Sequence, residues 1–352
     1  MIPMVADRVA DAAGYALSDA LSCEVTKTED GEYSLKLEYP LNGANADMLL
    51  LGNQIQSITS RVDTAAQPFT IYKIEQSING ILSVTAYHKM YALSGYPVRA
   101  FDKASRTPSE ALDALYQNSP RNPSSYAMRI LATESTQKEE FGLDRPTTWR
   151  DAIFGSGGLL DVYGGYIVTD GNTLTWKPKP AAAASKGIIR YGLNLQKFKR
   201  VYDTSDMYTH AYVYWKNSDE LVQVPGLVQL GATAAFSAAT ILDLSDEFET
   251  TPTTAQLTQK AQELAAQREL TSPEVSLDIS FVPLRLAEEY KHMTWLEEID
   301  LFDTVTVDVP MYGSSTTARV TKTQFNVLEE NYKKISVGNL LRRLDRTIAR
   351  LI

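Results

Sequence analysis

The stretch DGEYSLKLEYPLNG, residues 30–43, decides how the rest of the chain is read. Tyr33, Leu35, Leu37 and Tyr39 fall on one side of an extended backbone. Glu32, Ser34, Lys36 and Glu38 fall on the other. Period-two alternation of this kind marks a strand with one buried and one wet face. Pro40 ends the strand, since it cannot donate to a hydrogen-bond ladder. Upstream, Leu21, Cys23 and Val25 alternate in the same way, and the polar turn TKTEDG joins the two runs as a hairpin. Downstream, Asn79-Gly80 stands between two alternating runs in PFTIYKIEQSINGILSVTAYHKM, residues 68–90, and predicts a second hairpin. Two hairpins with opposed apolar faces predict an antiparallel barrel or sandwich.

Composition sets the outer bounds. The 352 residues are 44% hydrophobic and 22% charged, which allows a sizeable core in two or three domains. The net charge of −9 argues against a basic nucleic-acid clamp. It suits a wall that DNA must slide past without sticking. Cys23 is the single cysteine, so no internal disulfide can form, as fits synthesis in a reducing cytoplasm. The N-terminus lacks the pattern of a signal peptide, and no run is long and apolar enough to span a membrane.

From about residue 98 the text changes. RTPSEALDALYQ, residues 106–117, has Thr107 as N-cap, Pro108 at N1 and Glu110 at N3, a capping box ahead of a helix. PTTWRDAIFG predicts a second short helix starting after Pro146. GGYIVTDGNTLTWKP predicts a third hairpin turned by Asp170-Gly171-Asn172, and KPKPAAAASKG reads as a linker. Strands return in HAYVYWKN and ELVQVPG, while Ala232–Leu242 shows no assignable period. TPTTAQLTQKAQELAAQREL, residues 251–270, is the clearest helix, with Leu257, Ala261, Leu264 and Ala265 on one face. Four alternating runs follow between 274 and 339. In the closing text Leu341, Leu344, Ile348 and Leu351 step by 3, 4 and 3, the start of a heptad seam. This seam reads either as a helix packed on its own domain or as one that meets its symmetry mates.

The predicted class is α+β, mainly β: two β-barrel-like domains with inserted α/β subdomains. Residues 1–97 with 187–225 form the first barrel-like domain, 98–186 an inserted α/β subdomain, and 226–273 a helix-containing subdomain. Residues 274–339 form the second barrel-like domain and 340–352 a C-terminal helix.

Motifs that chemistry would demand are missing from the text. There is no H-E-x-x-H, no G-x-S-x-G and no phosphate loop. FGSGGLLDVYGGY, residues 154–166, is glycine-rich but follows a predicted helix and reads as a flexible connection. His88, His210 and His292 are far apart in sequence. Cys23, in phase with Leu21 and Val25, reads as a small buried hydrophobe, and a Cys23–His88 nucleophile pair would need two strands to bring them together. Glu288-Glu289 and Glu297-Glu298 are adjacent pairs whose side chains diverge, so neither makes a two-acid site. No catalytic, cofactor-binding or metal residue is assigned, and no cofactor is expected.

The ordered set of segments resembles the N-terminal region of phage tail minor structural proteins, also labelled prophage tail endopeptidases. The resemblance rests on Ser22-Cys23-Glu24-Val25, Gly31-Glu32-Tyr33, Tyr39-Pro40, Gln67 through Ile74, Ala86-Tyr87-His88, and IDLFDTVTVDVP…ARVTKTQFNVLEENYKKISVGN at 299–339. It implies a tail-tip or baseplate hub similar in fold to that of contractile-tail phages. Such a hub is a homotrimer whose two barrel-like domains per chain make a ring. The ring joins the six-fold tail tube or distal tail protein to a three-fold tip. The implied partners are these ring proteins, the C-terminus of the tape-measure protein, and a tip fibre or receptor-binding protein. DNA passes only in transit, during host cell entry, and the location is the virion tail tip. Leu341, Leu344, Ile348 and Leu351 are the inter-subunit candidates. Longer members carry lytic modules after the hub, and Ile352 follows the last predicted strand closely, so none is expected and the chain reads as no enzyme. A tail-associated cell-wall peptidase and a glycan-binding receptor protein using the tyrosines are the alternatives.

Overall fold

The computed structural model describes residues 2–6, 14–61, 63, 65–126, 128–178, 185–190, 195–205, 207–231, 238–248, 250–267, 270–271, 274–281, 299–309 and 314–338. By density of contacts the chain divides into a larger unit, Met1–Phe198 with Asp278–Ile352, and a smaller one, Lys199–Leu277.

The opening stretch forms the strand Tyr33–Pro40 (β4), and its alternation is physical. Tyr33, Leu35, Leu37 and Tyr39 are buried while Lys36 and Glu38 are exposed. Six neighbours precede or follow it in sequence: Met4–Ala6 (β1), Tyr15–Ala16 (β2), Ser22–Thr28 (β3), Gln54–Ser57 (β5), Gln67–Gln76 (β6) and Ile81–His88 (β7). They assemble in the order β3-β4-β7-β6-β5-β1-β2, antiparallel throughout. The β6–β7 turn uses Gly80, at φ 77, to close a loop in which Gly80 N–H bonds back to the Ser77 carbonyl. Asn79 keeps a negative φ, so this is a three-residue loop ending in a left-handed glycine and not the two-residue Asn-Gly turn.

β3 also pairs with the distant strand Ser314–Asn326. That strand pairs in turn with Asn331–Gly338 and with Thr304–Val309. Glu274–Phe281 and Leu195–Asp203 extend the same sheet, and Ile188–Arg190 lies parallel to Thr304–Val309. The class is mainly β with an α/β insertion, as the sequence predicts. The two β-rich regions, however, are joined edge to edge into one sheet. The join is the register from Lys322↔Thr28 to Asn326↔Glu24.

The inserted layer has its own small sheets. Phe101–Arg106 pairs with Glu139–Leu143, and Thr173–Lys177 pairs with Tyr166–Asp170 and with Arg129–Ala132. The hairpin at Gly171-Asn172 is a two-residue loop with a positive φ (54) only at Gly171, the II′ pattern. Helix α1, Pro108–Gln117, carries the predicted capping box, with both Thr107 and Glu110 contributing. Helix α2, Trp149–Phe154, begins three residues after Pro146, because Thr147–Thr148 first pair with Pro97–Val98 and Thr148 then caps the helix. FGSGG is a tight joint to helix α3, Leu159–Tyr163, and not a loose one. A Cβ on Gly158 would sit 2.7 Å from the Asp151 carbonyl oxygen. Trp149 and Trp176 are fully buried, and both indole N–H groups are satisfied, by Ser119 Oγ and the Gly164 carbonyl.

In the smaller unit the strand His210–Lys216 is central. It pairs antiparallel with Leu221–Gln223 and Val228–Gln229, and parallel with Ala239–Asp243. Ala211, Val213 and Trp215 face helix α4, Thr254–Gln267, which presents Leu257, Ala261 and Leu264. This packing revises the predicted boundary at 225. Residues 199–225 share their core with 226–277, because the apolar face of the His210 strand is covered by α4.

Candidate assembly face and buried junction

Two features of the larger unit stand out from the rest of its surface and core. The first is the polar face of the main sheet. Cross-strand register sets Lys334, Gln324, Thr26, Ser34 and Tyr87 in one row, and Asn326, Glu24, Lys36, Thr85 and Lys73 in the next. Glu38, Ser83 and Glu75 follow in a third. Period-two alternation puts every core residue on the far side, so this face is polar by construction. Glu24 accepts bonds from Gln324 and Lys333, and Lys73 pairs with Glu75 at 3.0 Å. With Lys322, the face presents five lysines against three glutamates. The acidity of the chain lies elsewhere. Residues 199–277 hold eleven acidic and five basic residues, a net −6 of the chain's −9.

The second is a buried junction where the β3–β4 turn, the inserted layer and the loop before Thr304 meet. A cavity of about 90 Å³ lies there, lined by Lys27, Tyr33, Phe154, Ile167, Asp300 and Phe302 among others. Lys27 shares the inward phase of Cys23 and Val25, so its ammonium enters the core. Its side chain is 12% exposed and meets Asp300 at 3.2 Å. Burial by itself works against this charge, but Tyr33, Asp300 and Asp63 outweigh it and hold the ammonium above its ordinary pKa. Tyr33 donates to Thr59 Oγ1 at 2.9 Å, and Asp63 accepts from the backbone and hydroxyls of Thr59 and Ser60. Opposite, Phe302 sits at φ 75, an unusual conformation for a bulky residue, inside the turn Asp300–Asp303. Its ring is held against Tyr166 at 4.5 Å and the Arg319 guanidinium at 4.9 Å. Arg150 lies over Tyr91 at 4.0 Å and Phe154 at 5.3 Å. The chemistry is structural: paired charges and stacked cations pin three segments that are distant in sequence.

The sequence-named residues fall as follows. Cys23 is fully buried, and burial pushes its thiol up to about 12. Native protein should therefore resist a thiol-exchange reagent at about pH 8 and react with it only after unfolding; rapid native labelling would contradict this burial. His88 is also buried, stacked on Tyr33 with ring centroids 4.5 Å apart. Its Nδ1 accepts the Met90 N–H at 3.2 Å. Cys23 aligns through Leu37 with Val84, four residues from His88, about 13 Å along the strand. The Cys23–His88 pair is therefore not formed. His210, in the smaller unit, shares a hydrogen bond with the Thr209 hydroxyl. His292, Glu288-Glu289 and Glu297-Glu298 lie outside the described residues, as do the seam residues Leu341, Leu344, Ile348 and Leu351. Among the described residues no cluster of three or more His, Cys, Asp or Glu could hold a metal ion. No helix among them is long and apolar enough to cross a membrane. The Lys27–Asp300 pair is the feature sequence reading missed, and its one local signal is a lysine in the buried phase of a strand.

Comparison with known proteins places these features in a family context. Residues 183–348, just under half the chain, match the family model described as prophage endopeptidase tail. Three solved structures share the fold over nearly the entire chain. The prophage tail protein gp18 from Listeria monocytogenes EGD-e has a TM-score of 0.65 at 15% identity, covering 100% of this chain and 98% of its own. The tail protein from Neisseria meningitidis MC58 scores 0.64 at 10% identity, with 97% and 98% covered. The 43 kDa tail protein of prophage MuSo2 from Shewanella oneidensis scores 0.60 at 9% identity, with 96% and 98% covered. No curated protein sequence matches. The resemblance to phage tail minor proteins read from the sequence holds.

Proposed function

We propose that this tail-protein fold serves as the hub of a phage tail tip or a tail-like particle. In this reading three copies form a ring. The ring joins the six-fold tail tube or distal tail protein to a three-fold tip and encloses the channel for DNA and the tape-measure C-terminus. A tip fibre or receptor-binding protein attaches beyond it, and the site of action is the virion tail tip. The observation that supports it most is the shared fold over the whole chain with prophage tail proteins.

The lysine-bearing face of the main sheet bears on the channel. A face with more lysines than glutamates attracts phosphate, so a wall that DNA must leave freely is better made by other surfaces, and this face is better placed against protein. The test is reconstruction of the intact particle. Three copies at the tail tip are expected; six copies, or a position at the neck, would overturn the assignment.

The word endopeptidase in the matching family description motivates a second reading, as a cell-wall peptidase. Zymography on bacterial cell walls separates the two. Clearing by the purified chain would favour the enzyme; the structural reading expects none.

A further inference from the structure

Among the described residues the sheet of the smaller unit is covered on one face by α4 and open on the other. On the open face Tyr212 pairs with Ile241. Leu227 directly precedes Val228, the partner of Ala211, and is exposed. Tyr212 and Ile241 are thus paired across two strands and Leu227 flanks the strand beside them, with Leu227 57% and Ile241 69% exposed. Leu221, paired with Lys216, adds a further exposed side chain. A sheet face with apolar side chains left in water lacks a covering layer. The margin of this face is acidic. Asp243 accepts the Tyr214 hydroxyl at 2.7 Å, and Asp219 and Glu220 form the turn beside Leu221.

One segment of this chain has the complementary character. Residues 340–352, LLRRLDRTIARLI, carry the seam Leu341, Leu344, Ile348 and Leu351. Arg342, Arg343, Arg346 and Arg350 stand against a single Asp345. As a helix it would be about 20 Å long, close to the roughly 23 Å of the central strand His210–Lys216.

We propose that segment 340–352 of a second copy docks as an amphipathic helix on this open face. Its leucine seam covers Leu227, Tyr212 and Ile241, and its arginines meet Asp219, Glu220 and Asp243. The sheet then has a helix on each side. The proposal uses only this chain and does not depend on the hub reading.

The test is a titration of a fluorescent peptide of residues 340–352 with the full chain carrying Leu344→Asp and Ile348→Asp, whose own segment cannot compete. Saturable binding in the micromolar range is expected, and the unaltered full chain should self-associate over the same range; a full chain that binds the peptide yet stays monomeric would put the segment on its own copy and overturn the proposal. It should weaken at least about tenfold when ionic strength is raised from about 0.05 to about 0.5 M. Ile241→Asp, or Asp219→Lys with Glu220→Lys, should weaken it by a similar factor. These side chains are exposed, so the fold should survive, and circular dichroism checks that. Absence of saturable binding, or binding indifferent to both variants, would overturn the proposal. A peptide that self-associates and ignores the variant chain would also overturn it and return the seam to contact among symmetry mates. A copy number other than three in the particle would sink the hub reading and leave the peptide result untouched.

Discussion

Replacing Lys27 with methionine is expected to cost about 3 kcal/mol of unfolding free energy, read as a lower midpoint in urea with an unchanged slope. The loss comes from what is left behind. Asp300 would remain at the junction without the ammonium 3.2 Å away, while Tyr33 and Asp63 would lose the charge that they surround. Methionine fills nearly the same volume, so little of the cost would be cavity. The control is Asp300→Asn made in the Lys27→Met background. If the pair acts as a unit, the second change costs far less than Asp300→Asn alone. Additive costs would show that the pair is not coupled, and the junction would then be packing without electrostatics. The pH dependence has a definite sign. The ammonium's pKa is raised in the folded state, so its stabilisation is present at neutral pH and is lost only as pH climbs through that raised value, in the alkaline range.

Stability is expected to fall as pH drops below about 6.5, and much of the fall should trace to His88. Burial, with Lys27 and Lys89 nearby, holds the imidazole down to about 3. Its ring stacks on Tyr33 and meets Phe69 edge-on, so a proton would have to enter an aromatic core. The folded form therefore refuses a proton that the unfolded chain accepts. The deficit opens below the unfolded value and grows until the folded group titrates near 3. His88→Asn keeps an acceptor for the Met90 N–H and removes the titration. At pH 7 it should be less stable by about 1 kcal/mol, for the lost stacking. Between pH 6.5 and 4 its urea midpoint should decline less steeply than that of the parent. Parallel profiles would mean that carboxylates elsewhere dominate the acid response.

Much of the local structure was legible because its causes are local. The alternation around Tyr33, the turn glycines at 80 and 171, the capping box at Thr107 and the apolar face of α4 each depend on residues within a few positions of one another. Local signals misled where a distant strand intervened. The helix expected after Pro146 starts at Trp149 because Thr147–Thr148 are drawn into pairing with Pro97–Val98. Ala239–Asp243 shows no clear period in its own text, yet becomes a strand by lying parallel to His210–Lys216. Of the junction nothing was visible beforehand: Lys27 reads as part of the polar turn TKTEDG, whereas the strand runs on to Thr28 and so sets Lys27 in its buried phase, and nothing near Asp300 marks it as the partner.

From the sequence alone came the strands, the helices and the mainly β class, because side-chain periodicity and turn chemistry are written into neighbouring residues. The same text determined that no familiar catalytic motif is present, and the order of its segments pointed to phage tail proteins. The tertiary structure decided three things. It joined the two β-rich regions through β3 and Ser314–Asn326, it set the unit boundary at Lys199, and it brought Lys27 to Asp300. The reason is common to all three. Backbone ladders are made of the same N–H and C=O groups at every residue, so pairing across some three hundred positions leaves no mark in the letters, and a charge shows its partner only when the chain closes around it.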